Sequence, residues 1–385
     1  MKVVFACAGT GGHINPAIAI ANIIKSREKN SKFLFIGTKD GLENKLVKNA
    51  GYEIKHIRTG KIIRSLTLKN FTAIKNTYSG IGDAKKILAS FKPDLVIGTG
   101  GYICGPVMLA AKKLNIPYML HESNAFPGVT VKLLAKNAAC VMLGFEDAKE
   151  RLNSKSNVVF TGTPAKFNRK DIDKLNIDEC KKDLNLENVK KHIVLVTCGS
   201  QGAKRVNEVL LEMIEKYLSE NKKDKLLNEK VFFILVTGDK NYDDISKKLQ
   251  EIKEKLNIDL SKYIKTEKFV FDMDKMYKVS DLCVTRAGAM TITELLISSK
   301  PAILIPLPTA AENHQYYNAK VLEDIGAGKI IEQKNLNAES LYESINEMLD
   351  NLKDINIQKS RIDMIEKSEK NIYECIINVL KKANK

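Results

Sequence analysis

Twice along this chain a short apolar run breaks off in a glycine cluster and gives way at once to a helical pattern, over Val3–Gly12 and again over Ile193–Gly202. A strand, a glycine turn and a helix in that order open a doubly wound parallel sheet, so the repeat predicts two similar domains. The surrounding sequence agrees. Short apolar runs alternate with stretches of 3.6-residue periodicity, the pattern of β-α units around parallel strands buried on both faces. Strands are expected at 3–8, 32–37, 53–58, 94–98, 116–121, 139–144 and 158–162, then at 192–198, 231–237, 266–271, 282–285, 301–306 and 329–332. Gly162-Thr163-Pro164 followed by a charged stretch marks the hinge. The division is therefore 1–163, 164–358 and a tail, 359–385, whose Ile362, Ile365, Ile372, Cys375, Ile376, Val379 and Leu380 at helical spacing predict a helix packing on a domain surface, that of the first domain.

Composition removes several classes. At 44% hydrophobic and 28% charged the chain is an ordinary globular one, and it has no uninterrupted apolar run of membrane-spanning length. The seven cysteines are scattered with no C-x-x-C pair, which reads as reduced, cytosolic thiols packed as small hydrophobes. A net charge of +16 calls for anionic partners. Nucleic acid is disfavoured among them, since aromatic RNA-binding motifs and tryptophan are absent.

The loop Gly9-Thr10-Gly11-Gly12-His13 lies between strand and helix, where backbone N–H groups bind anions. It lacks the third glycine of a dinucleotide fingerprint and the lysine of a P-loop. His13 is the candidate base. A second glycine loop, Gly98 to Pro106 with Gly100, Gly101, Tyr102 and Gly105, shares the carboxyl edge of the same sheet. His121, Glu122, Ser123 and Asn124 end the next strand there. In the second domain Gly199-Ser200-Gln201-Gly202 repeats the anion site. Arg286 to Glu294 opens another helix, and Glu294 is placed either to accept bonds from vicinal hydroxyls or to close a capping box with Thr291. Glu312-Asn313-His314-Gln315 adds groups suited to sugar recognition. The D-x-D pairs at Asp171–Asp173 and Asp272–Asp274 are weak metal signals, and for the second, expected after a strand Phe269–Phe271, helix capping is preferred. No metal site is assigned.

Residues 55 to 92 hold nine basic side chains against one acid, Asp83. Phe71, Ile74, Tyr78 and Ile81 recur there at helical spacing, so an apolar stripe with a basic flank is expected to be either core or a membrane-surface element.

Taken together, in order and across most of the chain, these loops resemble the MurG family of bacterial N-acetylglucosaminyltransferases, in glycosyltransferase family 28. The resemblance implies the GT-B fold, two Rossmann-like doubly wound domains facing across a cleft. It implies transfer of GlcNAc from UDP-GlcNAc to the muramyl C4 hydroxyl of lipid I, with inversion and no cofactor. Thr10, Gly11, Gly12 and Asn124 would touch the donor from the first domain. Ser200 would bind the diphosphate and the Val270 backbone the uracil. Ala289, Met290, Thr291, Ile292, Thr293 and Glu294 would line the sugar and ribose, and Gln315 would read GlcNAc hydroxyls. His13 would be the base, with His121 and Glu122 second, and Gly100, Gly101, Tyr102 and Gly105 would face the acceptor. Lys166 stands where the family usually has arginine, keeping the charge and losing the fork. The implied setting is the anionic cytoplasmic face of the cell membrane, peripherally bound, with other cell-wall synthesis proteins as further partners. A different GT-B UDP-sugar transferase acting on a membrane lipid is the alternative.

Overall fold

The computed structural model describes residues 1–60, 68–165, 167–199, 202–220, 224–355, 357 and 367–383, with backbone alone over 68–74. It divides into two compact units. The first is Met1–Ala165 joined by the C-terminal helix, and the second is the chain between them.

The first unit is a seven-stranded parallel sheet in the order β3-β2-β1-β4-β5-β6-β7. Its strands are β1 (Lys2–Ala6), β2 (Lys32–Gly37), β3 (Ile54–His56), β4 (Leu95–Gly98), β5 (Tyr118–Glu122), β6 (Cys140–Leu143) and β7 (Val158–Phe160). The order reverses beside β1, where the chain crosses from β3 to β4, and such switch points place ligand loops at the carboxyl edge. Because successive strand residues point to opposite faces, Val3 and Phe5 feed one core layer and Val4 and Ala6 the other, all fully buried. Phe5 stacks on Phe35 with ring centroids 5.0 Å apart. Burying each such large side chain contributes about 1.5–3 kcal/mol. On the Val3/Phe5 face lies the C-terminal helix Ser368–Ala383, which inserts Ile372, Cys375, Ile376 and Val379 into that layer. Tyr373 on the same helix donates to Glu28 at 2.6 Å.

The second unit is a six-stranded parallel sheet in the order β10-β9-β8-β11-β12-β13. Its strands are β8 (His192–Thr197), β9 (Val231–Val236), β10 (Ile264–Glu267), β11 (Leu282–Thr285), β12 (Ala302–Leu304) and β13 (Gly328–Ile330). The expected α/β class and all expected strands are present, one of them displaced. The run expected as strand over 266–271 pairs with β9 only to Glu267, opposite Val236. Phe269, Val270 and Phe271 are loop, with Phe271 86% exposed, so their β-forming side chains misplace the strand. All seven cysteines are buried and free, as their apolar settings predicted.

Candidate active site

In the first unit the chain leaves β1, turns at Gly9 with φ +102°, and enters the helix Gly11–Arg27. Nothing lies within 4 Å of where a Gly9 Cβ would stand, so the turn is open on that side. Thr10 is the N-cap but makes no side-chain cap bond, and the Gly11 and Gly12 N–H groups have no acceptor among the described residues. An unsatisfied helix N-terminus carrying about half a positive charge is a receptor for an anion. What holds the turn is Glu43, a fully buried carboxylate that the sequence reading missed. It accepts from the Gly9 N–H at 3.3 Å, the Thr38 N–H at 2.8 Å and the Thr38 hydroxyl at 2.7 Å.

His13 sits in the first turn of that helix, half-buried. Its Nδ1 lies 3.3 Å from the Ala8 carbonyl, which can only accept, so the proton belongs on Nδ1 and the basic lone pair on Nε2. The second glycine loop is shaped around this ring. Gly100 has φ +116°, and a Cβ there would stand 2.9 Å from His13 Nε2. Gly101 has φ +84°, and its Cβ would strike the Ala8 carbonyl. Cys104 ties the loop down with its thiol toward the carbonyls of Ala6 and Gly100, at 3.4 and 3.1 Å. Burial pushes that thiol up to about 12, keeping the proton it donates. Tyr102 is half-exposed at the loop's crest and Gly105 opens the next helix, Cys104–Lys113.

His121 and Glu122 take other roles than the expected one of offering groups to a ligand. His121 is fully buried, with Nε2 3.4 Å from the Gly162 carbonyl and Nδ1 3.3 Å from the Ser123 hydroxyl. Desolvation lowers its pKa to about 4, so at neutral pH it is an uncharged strut. Glu122 accepts from the N–H groups of Asn124 and Gly128 and the Asn124 side-chain amide, each at 2.9 Å. Burial raises its pKa against the pull of those bonds. It therefore positions Asn124, which is half-exposed.

In the second unit Ser200 and Gln201 lie outside the described residues, as does Lys166. The glycines that flank this pair in sequence differ. Gly199 (φ +74°) is open, whereas a Cβ on Gly202 (φ +67°) would strike the Thr237 carbonyl, to which Asn207 and Asn241 donate at 3.0 and 3.1 Å. After β11, Arg286 donates to the Ile305 carbonyl at 3.0 Å and to Gln333 at 2.6 Å, lacing three loops together. The helix Ala289–Ser298 is capped by Gly288 in extended conformation without a side-chain bond. Thr291 is thus the third helical residue and no Thr291–Glu294 capping box forms. Glu294 is half-buried and accepts from the buried Tyr277 hydroxyl at 3.2 Å. Of the six residues expected to line a ligand, Ile292 and Thr293 bury their side chains in the unit, and the Ile292 N–H already donates to the Gly288 carbonyl at 3.0 Å. Met290 and Thr291 stay half-exposed, and Ala289 is buried. Val270 is half-exposed in the loop after β10. Gln315, in the first turn of His314–Glu323, accepts from the Leu307 N–H at 2.9 Å, which aims its amide. Glu312 and Asn313 before it both have positive φ, +53° and +52°.

The first D-x-D pair is occupied otherwise, Asp171 completing a capping box with Asn168 and Asp173 pairing with Arg169 at 2.9 Å. In the second, Asp272 stands at the N-cap position of the helix Met273–Val279 but makes no side-chain cap bond. Among the described residues no cluster of His, Cys, Asp or Glu is arranged to hold a metal ion. Of the basic stripe, Tyr78 is 73% exposed while Ile81 packs into the first-unit core. The side chains of Phe71 and Ile74 lie outside the described ones.

Residues 3–143 match the glycosyltransferase family 28 N-terminal domain and 193–375 its C-terminal domain. A relative from Acetivibrio thermocellus, named UDP-N-acetylglucosamine--N-acetylmuramyl-(pentapeptide) pyrophosphoryl-undecaprenol N-acetylglucosamine transferase, is 39% identical over 99% of both chains. The crystal structure of Acinetobacter baumannii MurG aligns over 99% of both chains with a TM-score of 0.71 and 28% identity. The chain belongs to the MurG family of glycosyltransferases. Another relative with the same printed name, from Finegoldia magna, is 38% identical over 91% of each chain. MurG membership assigns the two sheets to the GT-B fold. That fold extends to far more distant enzymes, such as a Polygonum tinctorium UDP-glucosyltransferase at 13% identity and a TM-score of 0.67. In MurG terms, the described glycine loops of both units and the helix start at Ala289 are the elements the sequence singled out.

Proposed function

We infer that this chain transfers N-acetylglucosamine from UDP-GlcNAc to the muramyl C4 hydroxyl of lipid I, yielding lipid II and UDP in peptidoglycan synthesis. The observation that carries this is the 39% identity with a transferase of that name along 99% of the chain.

The chemistry is one in-line displacement. The acceptor oxygen forms a bond to the anomeric carbon, the bond from that carbon to the UDP oxygen breaks with its electron pair, and the hydroxyl proton passes to a base. His13 Nε2 is the proposed base, supported by the Nδ1 contact to Ala8 that leaves its lone pair on Nε2. Helix N-termini at Gly11 and Ala289 offer fixed positive potential to phosphate groups without reorganising. Glu294, oriented by Tyr277, is proposed to accept ribose hydroxyls, and Gln315 to read GlcNAc. The roles of Ser200, Lys166 and the Val270 backbone rest on the resemblance alone.

The finer proposal for location is peripheral binding at the cytoplasmic face of the cell membrane. No helix of the described residues is long and apolar enough to cross one. Support comes from the basic segment and from exposed Tyr78 within it. Transfer of radiolabel from UDP-GlcNAc to a lipid I analogue tests the activity. Transfer to a different lipid acceptor, with none to lipid I, would overturn it.

A further inference from the structure

A cavity of about 790 Å³ opens within the first unit beside the glycine loops, and nothing in the catalytic reading uses it. It lies at the carboxyl edge of β2 and β3, between Thr38–Gly41, His56–Thr59 and the helix Leu68–Phe91, with Tyr102 from the second glycine loop on its rim. It also shares a wall with the first loop. Thr38 lines it, and Thr38 and Gly9 donate to the same buried carboxylate, Glu43.

The lining carries both signs of charge. Arg58 and Asp83 satisfy each other through a two-pronged bond, Nε to Oδ2 at 2.8 Å and an Nη to Oδ1 at 2.7 Å. Asp83 is held below the usual carboxylate range by that pair. Lys39 and Lys86, also in the lining, have no ion pair among the described residues, and Asp40 stands beside Lys39. Asn76, Thr59 and Tyr102 add neutral polar groups. Only Ile57 and Ile87 are apolar, so a polyprenyl chain finds little to cover. A pyrophosphate is better served by the open helix N-terminus at Gly11, and in the cavity it would meet Asp40. A peptide with amides along its backbone and free carboxylates matches this mixture, and 790 Å³ lies in the range of ligand sites.

We propose that this cavity holds the peptide arm of the muramyl acceptor, with Lys39 and Lys86 gripping a peptide carboxylate. The inference rests on the proposed function, because that is what supplies a peptide-bearing acceptor. Holding the arm beside Tyr102 restrains the muramyl ring near His13, so the cavity acts in binding and orientation and leaves the chemical step to the loops.

The test compares two soluble acceptors with a short lipid, one carrying the full peptide and one cut back to its first residue, on wild type and on Lys39→Ala with Lys86→Ala. Both lysines are on the surface, so folding is retained. A charge-assisted bond is worth roughly ten- to a hundred-fold in binding, and solvent screening favours the low end. Wild type should show about a ten-fold higher KM for the truncated acceptor. The double variant should lose about ten-fold in KM for the full acceptor alone, with kcat and the KM for UDP-GlcNAc unchanged, and Lys86→Arg with Lys39→Arg should restore it. Equal losses on both acceptors assign the lysines to the pyrophosphate and overturn the proposal, as does a wild type indifferent to the peptide. Fluorescence anisotropy of a labelled muramyl peptide, without turnover, separates the two readings. Binding lost in the variant with no transfer by wild type overturns the activity and keeps the cavity. Transfer with no peptide binding does the reverse.

Discussion

Gly100→Ala is the sharpest probe of how the two first-unit loops work together. At φ +116° an alanine is strained by about 1–3 kcal/mol whatever the space around it. Here there is no space, because the new Cβ would stand 2.9 Å from His13 Nε2, well inside ordinary contact of 3.4–4 Å. Either the ring retreats by roughly 1 Å or the second loop does. A misplacement of that size costs about a hundred-fold when the displaced group is the base. The expected outcome is a fall in kcat of about 10²-fold with the KM for UDP-GlcNAc nearly unchanged. A melting temperature lower by about 2–4 °C per kcal/mol of strain should accompany it. Gly82→Ala is the matched control, since its Cβ would meet nothing within 4 Å, its φ is ordinary and it lies in a helix. That change should leave activity alone and stabilise by about 0.5–1 kcal/mol. Steady-state transfer of radiolabel and thermal unfolding on both variants decide the matter. A Gly100→Ala enzyme with wild-type kcat would refute the packing argument and weaken His13 as the base with it.

Glu294→Ala should raise the KM for UDP-GlcNAc ten- to a hundred-fold through loss of ribose bonds, with Tyr277→Phe intermediate; calorimetry showing unchanged UDP affinity would reject that role. Glu43→Ala strips the acceptor from the Gly9 and Thr38 donors and should cost at least about 1.5–3 kcal/mol in denaturant unfolding, while lowering kcat by loosening the turn before His13. Wild-type stability with normal turnover would show the carboxylate to be dispensable. The unfolded chain takes up the His121 proton near the usual 6.5 and the folded chain near 4. Stability should therefore fall by up to about 1.4 kcal/mol per pH unit as pH drops through that window, and level off below it. His121→Gln should flatten that slope between pH 6.5 and 5, where carboxylates contribute least.

The inner strands were legible because parallel strands covered on both faces must be continuously apolar, and β1, β4 and β8 run into glycine turns. The strand over 266–271 failed for a local reason. Phe269-Val270-Phe271 has the side chains of a strand, but pairing with β9 has already run out at Glu267. The candidate site was legible where backbone conformation dictates residue type, as at Gly9, through its positive φ, and at Gly100 and Gly202, where positive φ and close approaches together admit little else. It was illegible where the partner is remote. Nothing near His121 announces that the Gly162 carbonyl closes over it, and nothing near Glu43 announces the Gly9 turn 34 residues earlier. Both are carried by sheet order, which brings β2 beside β1 and β7 beside β6.

The helix Ser368–Ala383 gives the protein an order of assembly as well as a core. Until the ribosome has finished it, the first-unit layer of Val3, Phe5, Ile97 and Met142 lacks the cover of Ile372, Ile376 and Val379, although its strands were made more than two hundred residues before. The second unit has no such wait, because its core draws on the intervening chain alone. Synthesis therefore runs against the usual sequence of amino-terminal domain first. The later-made unit is the earlier able to close, and the nascent first unit carries a greasy face that chaperones or an adjacent lipid surface must shield in the interval. A message truncated just before Ser368 would yield a sound second unit attached to an aggregation-prone first.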